Sequence, residues 1–519
     1  MTASPLELAG MLLACGGAAV ALLADDRRLR YLAAAIALVA APVLVAGDVW
    51  HSARFVDLRG HPAKLVAVAA IAAIAVGAAA VVFHRARWTF PVAVFALMPL
   101  RLPVHLGGQT SHLLIPLYVL IAAGIARGGY ELVRARSHGT DRLPPERLTG
   151  GVGGWPAAVW LHRTLAATLV LYAIQTAYSA DVSNAIENAS FFLVPFAVML
   201  VLLEEVPWTR ELLGRVLIGV VAMGLLFAGV AFVEYAVRDL LLSRGDLLQS
   251  NQLHLYFRVN SLFYDPNVLG RYLALDLVAL GAYLAWSRHT AWAIAAALAS
   301  AIMLTALALS YSITSFVALI AGLLVVAALR WGVRWALAGG AAIVLCGVIF
   351  LAVSGTGHTD FSSEESFNTA GSGRVSLARG GIDLAGDRPI AGWGSGAFGA
   401  AFARHIQRAR TTVSHSEPIT VAAEQGAIGL IVYVALIVLA LVVLLSGAGA
   451  SAGTAAIAAC FVTMVVHSLG YAAFTTDPAT WALIGLGVAI RRRPAVSGDA
   501  ARPVGVDAAA AAEPRPATV

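Results

Sequence analysis

The sequence predicts an all-α fold, a polytopic transmembrane helix bundle of about 12–15 spans. Of its 519 residues, 60% are hydrophobic and only 12% are charged, against about 25% charged residues in ordinary soluble domains. The apolar residues recur in runs of about 17–25, the length that crosses a bilayer as a helix. The short segments between these runs collect Arg. The chain is therefore expected to form one integral membrane domain over residues 1–493.

The apolar runs give fifteen candidate spans. Two of them, 189–203 and 478–490, are short enough to be tilted, re-entrant or merged with a neighbour, which would lower the count by one to three. The first run lacks a basic segment before it and a clear cleavage site, so it is expected to be a retained helix. The runs lie at 6–23, 30–47, 63–83, 88–105, 111–126, 157–177, 189–203, 212–234, 266–286, 290–309, 313–329, 335–354, 427–446, 452–473 and 478–490.

Alternation through these spans puts the arginine-rich linkers on one side, which the positive-inside tendency makes cytoplasmic. The protein is then a multi-pass protein of the cytoplasmic (inner) membrane, and a large loop at about 355–426 faces outward. Residues 494–519, rich in Ala and Pro, are expected to be a disordered cytoplasmic tail. The linkers lie at 25–30, 84–87, 127–147, 287–289, 330–334 and 491–493.

Several function classes have no support in the sequence. The net charge of +6 follows from the membrane linkers, so no nucleic-acid partner is expected. Cys15, Cys346 and Cys460 lie in apolar runs without metal-ligand spacing, so neither a zinc site nor a disulfide frame is expected. We expect no metal and no cofactor.

Three outward segments carry cations on the side that membrane insertion disfavours: 48–62, 235–265 and the large loop. Long loops can cross regardless of charge, and an anionic ligand at the outer face is the alternative explanation. In the second segment, Asp265 and Pro266 predict a helix start. Arg258 before that start and Arg271 inside the helix carry guanidinium groups, which suit phosphate-like anions. The alternative, in which Arg258 only anchors the loop at the membrane interface, stays open.

The large loop contains two further candidates. A short amphipathic helix near 373–385 begins at about Arg374 and leads to a turn with Arg388 and the glycine-rich 392–396, which favours a tight turn over a phosphate cradle. His415 precedes Ser416, the expected cap of a helix that begins at Glu417. The positive helix end keeps the ring neutral and able to accept a proton from a hydroxyl group. A purely structural histidine is the alternative.

These motifs, in this order, resemble the O-antigen ligase and polymerase superfamily, membrane glycosyltransferases that move glycans from polyprenyl-diphosphate carriers. The resemblance is concentrated in about 250–490. Ser261 stands where the family pattern has glycine, and Ser416 stands where it has asparagine. The matching stretches are RVNSLFYDPN (258–267), GR (373–374), DRPIAGWGSG (387–396), HSEPITVAAEQGAIGL (415–430) and TTDPATWALIGL (475–486).

The resemblance implies metal-independent transfer of a glycan from a polyprenyl-diphosphate carrier, at the outer face of the membrane, in cell-surface polysaccharide biosynthesis. Arg258 and Arg374 would hold the diphosphate of the donor, and His415 would activate a hydroxyl of a glycan, lipid or protein acceptor. Membrane lipids would surround the carrier's prenyl chain. Secondary candidates at the site are Arg271, Arg388, Glu424 and Asn267.

Two other functions remain open at this stage. One is a transporter for a small anion, which needs ionisable residues at membrane depth. The notable residues of this kind in the spans are Asp276, Glu234, His162 and His467. The other is an inactive scaffold of an envelope-assembly complex.

Overall fold

A computed structural model describes residues 3–50, 52–106, 109–137, 156–242, 247–248, 251, 256–353, 374–405 and 414–492. The fold is a helix bundle, as predicted. Its helices are α1 (Pro5–Leu23), α2 (Arg27–Asp48), α3 (Ala53–Gly60), α4 (Pro62–Arg85), α5 (Thr89–Leu97), α6 (Ile115–Ser137), α7 (Pro156–Gln175), α8 (Val182–Asn188), α9 (Val194–Glu204), α10 (Arg210–Val237), α11 (Pro266–Trp286), α12 (Thr290–Leu309), α13 (Ile313–Trp331), α14 (Val333–Val353), α15 (Arg374–Asp387), α16 (Phe398–His405), α17 (Glu417–Leu445), α18 (Ala452–Ser468) and α19 (Pro478–Arg492).

Ten helical stretches in the described ranges are long and apolar enough to cross a membrane, and three shorter apolar helices accompany them. The total lies within the predicted 12–15. The short run at 189–203 is a span of its own that begins earlier than predicted: a π-helical segment, Ala189–Leu193, joins α8 to α9, and the stretch Val182–Glu204 is one candidate span.

The predicted span 88–105 is wrong. The α5 helix ends at Leu97, and an antiparallel hairpin follows, with β1 (Leu102–Leu106) paired to β2 (Gln109–Leu113). Pro99 and Pro103 explain the difference, because proline lacks the amide hydrogen that a helix needs and disfavours the helical conformation of the preceding residue.

Three of the basic linkers meet at one carboxylate. Glu131 lies within ion-pair distance of Arg27 (3.7 Å), Arg87 (3.4 Å) and Arg127 (3.1 Å). The linkers that contain these arginines are far apart in sequence and therefore share one end of the bundle. This end is called the basic end below.

Three helices form the centre of the opposite end. The α11, α13 and α18 helices pack against one another, and small residues allow their close approach, as is typical of membrane helices. A side chain at Gly270 would clash with Ser315, and a side chain at Gly322 would clash with Val278 and Thr463. The first turn of α11 is thereby held close to the first turn of α13.

The segment that corresponds to the large loop has a small apolar core of its own. It packs α15 and α16 onto the first turns of α17. The buried residues are Leu384, Trp393, Ala397, Phe398, Ala401, Phe402 and Ala423. This part of the loop is therefore a folded cap on the bundle.

Candidate functional site

A buried carboxylate holds the segment that precedes α11. One oxygen of Glu234, at the end of α10, accepts hydrogen bonds from the backbone N–H groups of Asn260 (3.0 Å) and Ser261 (2.7 Å). Ser261 has a left-handed φ of 54°, a conformation that glycine adopts at lower cost. This explains why the family pattern has glycine at the position of Ser261.

Hydrogen bonds to Asn251 and Ser310 hold both the backbone and the side chain of Arg258. The Asn251 side chain accepts from the Arg258 N–H (3.0 Å) and donates to its carbonyl oxygen (3.1 Å). The Arg258 Nε donates to the carbonyl oxygen of Ser310 at 3.1 Å. The half-buried guanidinium therefore lies beside the segment that leads into α13.

The predicted start of α11 is confirmed. Asp265 caps the helix, because its Oδ1 accepts from the backbone N–H (2.7 Å) and side chain (3.0 Å) of Asn267. The other Asp265 oxygen accepts from the Tyr471 hydroxyl at 2.9 Å. The cap thus joins α11 to the segment after α18.

From Asn267 a chain of side-chain hydrogen bonds continues into α13 and α18. The Ser312 hydroxyl donates to Asn267 Oδ1 (2.9 Å) and lies 2.8 Å from Ser315 Oγ, which is 3.2 Å from His467 Nε2. The His467 and Tyr471 rings lie 5.7 Å apart. This ring contact leads back to Tyr471, whose hydroxyl donates to Asp265, the cap of α11. Asp265, Asn267, Ser312, Ser315, His467 and Tyr471 are called the polar cluster below.

An ion pair lies beside the polar cluster. Arg271 is paired with Asp477, and both side chains are buried. The Arg271 guanidinium also stacks over the Tyr471 ring, 5.7 Å from its centroid. Asp477 accepts from the backbone N–H of Ala479 at 2.9 Å and so orders the start of α19. Arg271 was predicted as a secondary ligand-binding residue. In the structure its guanidinium is paired with the Asp477 carboxylate, which was not predicted as its partner.

His415 lies against the polar cluster. Its ring is 6.4 Å from the Tyr471 ring, and α17 begins two residues later at Glu417, as predicted. The predicted side-chain cap by Ser416 is wrong, since this hydroxyl makes no capping hydrogen bond. Ser414 holds the turn instead, because its hydroxyl donates to the Ser416 carbonyl oxygen (2.7 Å) and accepts from the Ser416 N–H (3.1 Å). His415 itself has a φ of 62°, a costly conformation that is frequent at functional sites.

Arg374 is the first residue of α15, close to the predicted helix start. Its side chain lies outside the described residues. The α15 helix reaches the histidine turn through Gly381, where an added side chain would approach Ser414 Cβ to 3.3 Å. The helix that begins at Arg374 therefore packs against the residue that precedes His415.

The glycine-rich stretch 392–396 is a tight turn, as favoured from the sequence. Its N–H groups bind protein: Trp393 donates to the Ala423 carbonyl oxygen (3.0 Å) and Gly394 to that of Glu424 (2.8 Å). Gly396 donates to the Glu424 carboxylate at 3.0 Å. A phosphate cradle needs such N–H groups to point at a ligand, so these three groups cannot serve one here.

Glu424 and Gly426 fasten this turn to α17. The Glu424 carboxylate also accepts from the Phe398 N–H (3.1 Å), at the first residue of α16. Gly426 breaks the helix with a φ of 63°, and a side chain there would collide with the Ile390 carbonyl group. Beyond the break, the Ala427 N–H donates to the Pro389 carbonyl oxygen at 2.7 Å. Glu424, a secondary candidate for the site, thus binds the N–H groups of this turn and of α16 and joins them to α17.

Arg388 lies on the surface of this cap. Its guanidinium stacks over the Trp393 ring at 3.9 Å from the centroid, and its side chain is exposed. Tyr178, from the segment after α7, donates to the Ala391 carbonyl oxygen at 2.7 Å and lies beside it. Arg388 belongs to this outer surface and not to the polar cluster.

A cavity of about 260 Å³ lies between α7, α8, α17 and the segment before α19. It begins next to the histidine turn, since Thr420, one of its lining residues, is hydrogen-bonded to Ser414. Its lining combines carboxylate, amide and hydroxyl groups with apolar side chains, which include Phe192, Val421 and Leu436. The polar lining residues are Thr168, Tyr172, Asn184, Asn188, Glu417, Thr420, Glu424, Gln425, Tyr433, Thr475 and Thr476.

Most ionisable residues that would suit a transport pathway have local partners. Glu234 holds the loop described above, and His467 bonds to Ser315. His162 Nε2 lies 2.8 Å from the Glu204 carboxylate. Asp276 is buried within α11 and packs against Gly224 of α10. Within the described ranges, no three His, Cys, Asp or Glu side chains come together as metal ligands.

Comparison with known proteins agrees with the motifs. Residues 298–434 match the model of a family described as O-antigen ligase. The match runs from α12 into α17 and so includes Ser312, Ser315 and His415, whereas Arg258 precedes it and Tyr471 follows it. No curated protein matches the chain. The resemblance predicted from the sequence is thereby confirmed: within a polytopic membrane bundle, residues 298–434 carry a domain of the O-antigen ligase superfamily.

Proposed function

We propose that the protein is a membrane glycosyltransferase that moves a glycan from a polyprenyl-diphosphate carrier to an acceptor hydroxyl. The main support is the position of His415, which lies in the matched family segment and beside the Tyr471 ring of the polar cluster. Arg258 approaches the same cluster through Ser310. A base candidate and a cation candidate therefore lie at the same end of the bundle.

In the proposed reaction, the acceptor oxygen bonds to the anomeric carbon of the donor glycan. The bond from that carbon to the diphosphate oxygen breaks, and the polyprenyl diphosphate leaves with the electron pair. The His415 imidazole takes the hydroxyl proton. Arg258 and Arg374 stabilise the charge that grows on the leaving diphosphate. Because two guanidinium groups supply this stabilisation, we expect transfer to persist in EDTA.

The surroundings of His415 favour a fixed geometry. Burial and the Asp265 carboxylate raise the pKa of Tyr471, so the phenol stays protonated and donates to Asp265. Its ring is therefore held in place beside His415. A base that is held by packed, hydrogen-bonded neighbours meets the reacting hydroxyl without rearrangement.

The cavity beside the histidine turn is the proposed place for sugar. Amide, hydroxyl and carboxylate groups line part of it, and such groups can bond to the hydroxyl groups of a sugar. In the proposed orientation the basic end lies in the cytoplasm, as the positive-inside tendency requires. The polar cluster then faces outward.

The test is mass spectrometry of lipid-linked glycans in a strain that lacks the gene. We expect a polyprenyl-diphosphate glycan to accumulate, and wild-type protein, but not the His415→Ala variant, to consume it. No accumulation, together with uptake of a labelled anion by proteoliposomes of the pure protein, would favour the transporter instead.

A further inference from the structure

Glu234 is a buried carboxylate that the proposed reaction does not use. It lies in the last turn of α10 and is 3% exposed. One oxygen accepts from the Leu241 N–H at 3.0 Å, just after α10. The other accepts from the N–H groups of Asn260 and Ser261, just before α11. A single carboxylate therefore joins the two ends of the segment that connects α10 to α11.

This connecting segment carries Arg258, two residues before Asn260. On its other side the segment is bonded to the end of α12, because the Val259 N–H donates to the Leu309 carbonyl oxygen at 3.2 Å. The Arg258 Nε donates to the next carbonyl oxygen along the chain, that of Ser310. The backbone that carries the Arg258 guanidinium is thus held between α10 and α12.

Ser261 makes the conformation of this segment dependent on α10. Its left-handed φ of 54° is costly for a residue other than glycine. Two hydrogen bonds to α10 offset that cost: the Ser261 N–H donates to Glu234, and its hydroxyl donates to the Phe227 carbonyl oxygen at 2.8 Å. Glycine would adopt the same conformation without these bonds. The turn after Arg258 therefore relies on the Glu234 carboxylate.

The three N–H groups at Glu234 require a carboxylate. A glutamine side chain has one acceptor oxygen, and its NH₂ group would face an N–H donor at the other position. Glu234→Gln therefore loses at least one of the three hydrogen bonds while it keeps the shape of the side chain. The backbone before α11 would shift as a result, and Arg258 would shift with it.

We propose that Glu234 is a positioning residue for the polyprenyl-diphosphate donor, which acts by holding the backbone that carries Arg258. This inference rests on the proposed function and extends the site to α10, which precedes the matched family segment. Glu234 does not touch the donor. It holds the Arg258 guanidinium in place before the donor binds, so that less conformational freedom is lost on binding.

The test measures binding of glycan-free polyprenyl diphosphate to the pure protein in a maltoside detergent, which contains no phosphate. Glu234→Gln should weaken this binding roughly ten- to a hundredfold, the effect of losing one charged hydrogen bond to the ligand. Glu204→Gln is the matched control and should bind as wild type. The Glu204 side chain is also buried, at 6% exposure, but it bonds to His162 at the basic end.

A double-mutant cycle separates positioning from a general loss of stability. In the Arg258→Lys background, Glu234→Gln should weaken binding much less than in the wild-type background, because the guanidinium that it positions is already gone. An equal loss in both backgrounds would mean that Glu234 acts on the fold as a whole, and would overturn the inference.

Ser261→Gly provides a rescue variant. Added to Glu234→Gln, it should restore part of the lost binding, because glycine adopts the left-handed φ without the carboxylate. Absence of any recovery would show that the loss does not arise in this turn, and would contradict the proposed route from Glu234 to Arg258.

The binding outcomes also separate the inference from the proposed function. If wild-type protein binds the diphosphate and Glu234→Gln binds it equally well, the inference fails and the proposed function stands. If wild-type protein does not bind the diphosphate, the proposed function fails, and the inference fails with it.

Discussion

The Arg271 guanidinium is ion-paired with the Asp477 carboxylate in the interior of the bundle, so that the second turn of α11 is tied to the start of α19. The pair lies beside Tyr471 and supports one wall of the polar cluster. Its burial makes each charge dependent on the other.

We expect Asp477→Ala to lower the free energy of unfolding by about 3–5 kcal/mol, because it leaves the Arg271 charge buried alone. The measurement is thermal unfolding in detergent, and the Arg271→Met/Asp477→Leu double variant should recover part of the loss. Asp57→Ala, which removes an exposed carboxylate, is the control. A variant with wild-type stability and no transfer activity would instead assign the pair to the reaction.

His415→Ala should reduce glycan transfer roughly a hundredfold or more, the usual contribution of a general base. Membrane insertion and unfolding temperature should stay at wild-type values. His289→Ala is the matched control, because His289 is an exposed residue before α12 that makes no side-chain cap. Full transfer activity in His415→Ala would remove this residue from the mechanism.

Arg258→Lys should lose most transfer activity, although it keeps the positive charge. The Arg258 Nε is committed to the Ser310 carbonyl oxygen, and an ammonium group cannot make that bond and also present a planar fork to a diphosphate. The initial rate of transfer at several donor concentrations measures the effect. Unchanged kinetics would argue against a diphosphate clamp.

The same reasoning applies to Arg374→Lys, which we expect to lower transfer to a similar degree. The double variant then tests whether both residues hold one ligand. Two arginines on the same diphosphate should give a combined loss that departs from the product of the single losses. A combined loss equal to that product would mean independent roles.

Gly426→Ala should destabilise the protein, by at least the 1–3 kcal/mol that a strained backbone costs. Its left-handed φ disfavours a side chain, and the new methyl group would collide with the Ile390 carbonyl group. Gly229→Ala in α10 is the opposite control: no atom lies within 4 Å of its added carbon, so it should be neutral or stabilising. Unfolding temperatures of the two variants should therefore shift in different directions.

The bundle could be predicted from the sequence because a segment that crosses lipid must satisfy its backbone hydrogen bonds within its own helix. Long apolar runs therefore indicate transmembrane helices directly. The start of α11 followed from Asp265 and Pro266, and the start of α17 from the residues after His415. These are local signals, which depend on a few neighbouring residues. The hairpin was missed because an apolar run outweighed Pro99 and Pro103.

The contacts across the site could not be predicted in the same way. Nothing in the spacing of Arg271 and Asp477, or of Ser315 and His467, indicates that they meet, because packing of separate helices brings them together. Ser261 is an intermediate case: the family pattern marked the position, and only its left-handed φ gives the reason.

The ion pairs of Glu131 with Arg27, Arg87 and Arg127 define the basic end of the bundle, and the position of that end bears on the energy source of the proposed transfer. In the proposed orientation these linkers face the cytoplasm, and the polar cluster faces a compartment without nucleotide triphosphates. Under the proposed function, transfer there would run on the free energy of the glycosyl–phosphate bond of a donor that is assembled on the cytoplasmic side. The supply of substrate would then depend on a separate step that moves the finished donor across the bilayer, and the released carrier would have to cross back before a new glycan is attached to it.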